Sequence, residues 1–117
     1  LLVHRTELGE VRITDEALAE LAGLACTRCY GVVGMAGQSL QEGVAELLGR
    51  ESLTRGVKLR RKGDRVVIHL YVILEAGVNI AEVANNLVEQ VKYVLRRAAG
   101  LEVDEVQVHV QGVRTGG

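Results

Sequence analysis

The sharpest chemical motif in the sequence is Cys26-Thr27-Arg28-Cys29, two thiols at the spacing used by redox dithiols and zinc half-sites. A redox dithiol needs its first thiol at a helix N-terminus, where the dipole lowers its pKa. Here the pair falls at the end of a predicted helix, where the dipole favours the protonated thiol. A zinc site needs two more ligands, and His4, His69 and His109 are dispersed without ligand spacing, so only two copies across a dimer would gather four cysteines. The reading adopted is two core-facing thiols on an apolar stripe, with no metal and no cofactor.

Three other patterns bear on chemistry. Gly31, Gly34 and Gly37 precede a capped segment, as a phosphate cradle would, but the dinucleotide fingerprint has other spacing and no Lys-Ser or Lys-Thr follows. They are read as turn glycines. A KH-type RNA clamp would want cations in that loop, and it has none, so nucleic acid is not expected as a partner. His69 and His109 each fall on the second face of a predicted strand and come close if the strands are neighbours, with Tyr71 on the same face. Without a nucleophile or carboxylate pattern they form no catalytic site. Ser39 and Ser52 are the only serines and neither lies in G-x-S-x-G, so no enzyme and no small-molecule substrate are expected.

The remaining pattern is charge. Residues 1 to 51 hold four arginines against eight carboxylates, whereas residues 55 to 65 hold six cations against Asp64 alone, in a chain of net charge -1. Lys58, Arg60, Arg61, Lys62 and Arg65 therefore form a basic hairpin on a dipolar molecule. Such a patch serves as a solvated strand edge, or as a contact for an acidic partner, anionic headgroups or the acidic part of another copy.

These residues are positioned by a strand, a long helix and a second strand between Arg65 and Val113. From Asn79 to Ala99, Ile80, Val83, Ala84, Leu87, Val88, Val91, Val94, Leu95 and Ala98 recur at three- and four-residue steps, with Asn79 as N-cap and Gly100 as terminator. Val66 to Leu74 is apolar on both faces, and Val57 to Lys62 alternates before the turn Lys62-Gly63-Asp64, which predicts a hairpin. Val103, Val106, Val108 and Val110 mark the last strand, parallel to the first. Upstream, Gly9 to Ile13 alternates as a short strand. Thr14 caps a helix whose stripe is Leu18, Leu21, Ala22, Ala25, Cys26 and Cys29, with Gly31 as its stop. Val32 and Val33 are extended, Gly34 to Gly37 is read as flexible, and Ser39 with Glu42 predicts a short helix burying Leu40, Val44, Leu47 and Leu48.

The expected fold is α+β: a two-layer sandwich with a mixed sheet of about four strands and helices on one face, including a β-α-β unit. Residues 1 to 8 are taken as a flexible lead-in, 9 to 113 as one domain and 114 to 117 as a tail. At 12.6 kDa the chain can bury a core, which must be aliphatic because Phe and Trp are absent. No apolar run approaches a membrane span and no signal peptide is visible, which reads as a soluble, unsecreted protein; the absent initiator Met and terminal Gly116 and Gly117 read as a trimmed chain.

Gly9-Glu10-Val11-Arg12-Ile13, the helix ending at Tyr30-Gly31-Val32-Val33-Gly34-Met35, Gly56-Val57-Lys58-Leu59, Val66 to Leu74 followed by Gly77, and Gly100-Leu101-Glu102-Val103 with Val106 to Val113 stand in a particular order. As an ordered set they resemble the alkaline-shock, or envelope stress response, protein family of Gram-positive bacteria. The resemblance implies a small cytoplasmic, non-enzymatic protein of cell-envelope homeostasis. In that family members self-assemble or are held at the membrane by a membrane-anchored protein partner, and some are encoded near a kinase-like protein. It carries no catalytic residues over. The C-x-x-C, His69 where an acidic residue is common, and the lack of an extended charged tail after Val113 depart from it. The expectation is a cytoplasmic scaffold or adaptor, a homo-oligomer or partner of a membrane-anchored protein, working through the basic hairpin and the sheet face of His69, Tyr71 and His109. The alternative is a small RNA- or anionic-surface-binding module using the same hairpin.

Overall fold

The computed structural model describes residues 1–37, 47–48 and 50–115. Its elements are β1 (Leu2–Thr6), β2 (Gly9–Ile13), α1 (Asp15–Thr27), β3 (Val32–Ala36), β4 (Leu47–Leu48), a 3₁₀ turn (Arg50–Gly56), β5 (Val57–Lys62), β6 (Arg65–Glu75), α2 (Ile80–Ala99) and β7 (Glu105–Arg114). β1 and β2 form a hairpin of their own, and β3 to β7 form one mixed sheet.

β6 is the centre of that sheet. β7 lies parallel to it from Val67 to Glu75 on one side. On the other side β5 pairs antiparallel with Arg65 to Leu70, and β3 pairs antiparallel further along, with Val72 to Leu74. β7 spans both of these stretches, so β3 and β5 must share one edge of β6 end to end. Gly56 stands where they meet: a Cβ there would lie 2.7 Å from the Met35 Cβ and 3.1 Å from the Ala36 carbonyl oxygen.

Period-two alternation sorts β6 into two faces. Ile68, Leu70, Val72 and Leu74 are buried in the core beneath α1 and α2, with Leu18, Cys26, Met35, Leu87, Val91 and Leu95. Val67, His69, Tyr71 and Ile73 take the other face, so the two-layer α+β sandwich with helices on one face stands as expected.

α2 begins where Asn79 accepts from the Glu82 amide and ends at Gly100 in the left-handed region, as the sequence predicts. Its buried line is Val83, Leu87, Val91, Leu95 and Ala99, narrower than the apolar stripe: Ile80 is 45% exposed and Ala98 is exposed. α1 is capped by Thr14 but ends at Thr27, short of the predicted stop at Gly31, leaving Cys29 in the turn beyond it.

Three expectations are corrected. The lead-in carries β1, whose pairing with β2 needs no hydrophobic period because it rests on backbone bonds and on His4, whose Nε2 donates to the Ala99 carbonyl at the end of α2 (2.7 Å). Gly34 to Ala36, read as flexible, belongs to β3; Gly34 pairs with Ile73 beside a register shift. Leu47 and Leu48, read as helical, form β4 against β3, cross-strand pairing overriding a three-residue apolar spacing. The rest of that predicted helix, with Ser39, Leu40, Glu42 and Val44, lies outside the described residues.

Gly23 sits inside α1 because Leu53 of the 3₁₀ turn packs onto it: a Cβ there would meet the Leu53 Cβ at 2.9 Å and its carbonyl oxygen at 3.2 Å. Gly23→Ala gains helix propensity of up to about 1 kcal/mol yet forces these segments apart, at about 1–3 kcal/mol. Thermal denaturation should show a lower Tm, and an unchanged or raised Tm contradicts the close approach.

Candidate functional site

The candidate residues lie on the face of the sheet that the helices leave uncovered. Register places Lys58 and Gln107 on either side of His69, and His109 beside Tyr71. The result is a stack of three rings. Tyr71 and His109 have centroids 4.6 Å apart and planes within 11°, and His69 and His109 are 5.2 Å apart at 19°. His69 Nδ1 and His109 Nε2 share a hydrogen bond of 3.0 Å, one nitrogen donating and the other accepting. All three side chains are half-buried.

This geometry disfavours a positive charge on His69. The His69 pKa lies below its ordinary 6.5, first because burial removes water from the ring, then because His109 and Arg60 repel a positive charge; Glu105 opposes them. His69 is therefore held toward its neutral form, hydrogen-bonded to His109, inside a cationic frame of Lys58, Arg60, Lys62 and Arg65.

Of the five predicted cations, the structure separates one. Lys58, Arg60 and Lys62 alternate onto the open face, whereas Arg61 takes the side of Val57 and Leu59 and donates to Asp15 Oδ2 at 2.7 Å. The Arg61 guanidinium beside Asp15 holds its carboxyl below the usual carboxylate range. Arg61 thus ties the hairpin to the start of α1. Arg65 lies 3.6 Å from Glu105. Arg60, Lys62, Arg65, Val67, His69, Glu105 and Gln107 contribute to a shallow depression of about 470 Å³.

The cysteines lie elsewhere, in the core. Cys26 is fully buried, and burial, with a smaller push from Cys29, raises its thiol pKa to about 12. Burial also raises that of Cys29, whose Sγ donates to the Ala25 carbonyl at 3.4 Å. Both thiols are thus held protonated, as core side chains are. Among the described residues no group of three or more His, Cys, Asp or Glu is placed to hold a metal ion, and no helix is long and apolar enough to cross a membrane.

Fold and site together define a two-layer α+β domain that presents an aromatic and cationic sheet face. The chain belongs to the alkaline-shock protein family, described as having a cell envelope-related function, whose model matches residues 3–115. It is 42% identical over 111 residues to the uncharacterized protein YloU of Bacillus subtilis, covering 94% of this chain and 92% of that one. It is 33% identical over 113 residues to the uncharacterized protein Spy1614 of Streptococcus pyogenes, covering 96% and 93%. A stress response regulator gls24 homolog of Streptococcus pyogenes is 23% identical over 107 residues, which span 92% of this chain and 60% of that protein. No solved structure gives a significant match. The family, linked to the cell envelope and to stress response, is the one the sequence resembles.

The lowered His69 pKa has a readable consequence. The folded state holds fewer protons there than the unfolded chain does, so the stability it contributes is complete above pH 6.5 and is lost as pH falls through that value toward the folded one. Titration followed by NMR should give His69 a midpoint below the ordinary value, and His109→Gln should move it upward. A His69 midpoint that does not respond to His109→Gln contradicts the coupling.

Proposed function

We propose that the protein is a non-enzymatic adaptor of the cell-envelope stress response, acting in the cytoplasm by association through the open sheet face and the basic hairpin. The observation that carries this reading is the pre-ordered ring stack framed by Lys58, Arg60, Lys62 and Arg65 on an uncovered face. Half-buried rings locked against each other lose little entropy on contact, which suits them to be a docking platform. The surrounding cations steer an acidic surface toward it.

Two kinds of acidic surface fit. One is the N-terminal half of another copy, where α1 carries Glu16 in its first turn and Glu20 further along. The other is an acidic protein anchored at the membrane, which would hold the chain at the envelope without a span of its own. The family's envelope-related description and the stress-response name of its relative support the setting.

Sedimentation over a concentration series separates these cases. The triple variant Arg60→Glu, Lys62→Glu, Arg65→Glu leaves the Arg61–Asp15 tie intact and should lose charge-guided association that the wild type shows at low salt and loses at high salt. Association unaffected by both salt and the variant contradicts a role for the hairpin.

A further inference from the structure

The two edges of the sheet differ in how they are guarded. β5 carries Lys58, Arg60, Arg61 and Lys62 within six residues, so two copies laid together along that edge would set cation against cation. β7, on the far side of β6, is ten residues long, and apart from His109 its titratable side chains are Glu105 and Arg114 at its two ends. Among the described residues no strand pairs with its outer edge. It contains neither proline nor lysine, and Val110 and Val113 are 37% and 51% exposed.

We propose that β7 pairs antiparallel with β7 of a second copy, about a two-fold axis through His109. The inference rests on the associating role proposed above and names the second copy as partner, at an edge that the hairpin does not use. The sequence of β7 is complementary to itself in this register. Glu105 falls opposite Arg114, Val106 opposite Val113, Gln107 opposite Gly112 and Val108 opposite Val110, twice over, with His109 meeting its own copy at the centre.

The β-bulge is what makes the register work. Val72 pairs with Val110 but Ile73 pairs with Gly112, so Gln111 is an extra residue in β7. Without it, the two halves of the strand would place residues of opposite faces against each other. With it, Glu105, Gln107, His109, Gly112 and Arg114 share the open face, and Val106, Val108, Val110 and Val113 share the helix side. Each opposed pair then points the same way, as an antiparallel ladder requires. Sliding the register by two residues shortens the ladder and removes both charge pairs.

The charge pairs give the test. A chain with Glu105→Arg has arginine at both ends of β7, and a chain with Arg114→Glu has glutamate at both. Circular dichroism first checks that each folds. By sedimentation at high salt, where the hairpin charges are screened, the wild type should form a species of twice 12.6 kDa and stop there. Each variant alone should dimerise about tenfold more weakly, because like charges oppose at both ends. Mixed in equal amounts they should form a heterodimer as tight as the wild type, resolved by native mass spectrometry of one tagged variant. A mixture no tighter than either variant alone overturns the proposal. So does a wild-type monomer at every concentration, which would leave the edge to an extended strand of a different protein. Dimerisation that survives reversal of the hairpin charges but obeys the β7 swap supports the proposal and leaves the hairpin's role to its own test. Association that obeys the hairpin and ignores the swap overturns the proposal while the hairpin's role stands.

Discussion

The structure depends on the demand that β6 places on its neighbours. It is eleven residues long, needs backbone partners on both edges, and carries apolar side chains on both faces. Its helix-side residues are buried by α1 and α2. Its edges are satisfied by β7 on one side and, on the other, by β5 and β3 in succession. The ends are fixed as well: the Val66 amide donates to Asp104 Oδ2 and the Asp104 amide to the Val66 carbonyl, while at the far end the Glu75 amide donates to the Gly31 carbonyl and, just past it, the Ala76 amide donates to the Arg114 carbonyl. Every residue of the candidate site is referred to this strand. His69 and Tyr71 lie on it, His109 is brought to them by β7, and the cations are brought by β5.

Much of this is legible in the sequence where the signal is local. The period of α2, its caps Asn79 and Gly100, and the β5–β6 hairpin are set by residues within one or two turns of each other. The failures come from long-range pairing. β1 has no period and is held by partners such as Ala99, far along the chain. Leu47 and Leu48 carry a helical spacing and pair as a strand. Gly34 is suited to a strand because it stands at a register shift opposite Ile73, a fact of the sheet and not of its neighbours. The site divides in the same way. The alternation of Val57, Leu59 and Arg61 with Lys58, Arg60 and Lys62 is visible in the sequence and already separates Arg61 from the other cations. The meeting of Tyr71 with His109, by contrast, needs the parallel register, and the bulge at Gln111 leaves no mark in composition.

The surfaces fit one arrangement. Pairing through β7 would join two sheets into one, in the order β5, β6, β7 and then the same strands of the second copy reversed. Both basic hairpins would stand at the outer ends, and the two ring stacks would flank the axis on a single continuous face. A closed dimer would thus carry two cationic docking ends, each free to meet an acidic partner at the envelope or the acidic half of another dimer. Charge and strand pairing act at different places, so salt should weaken the first and leave the second largely intact.

The most direct measurement is amide hydrogen exchange as a function of protein concentration, at high salt. The account predicts slowing confined to Glu105–Arg114 as concentration rises, with the exchange of α2 and β6 unchanged because they are already protected in the single chain. Exchange in β7 that is the same at every concentration would contradict it.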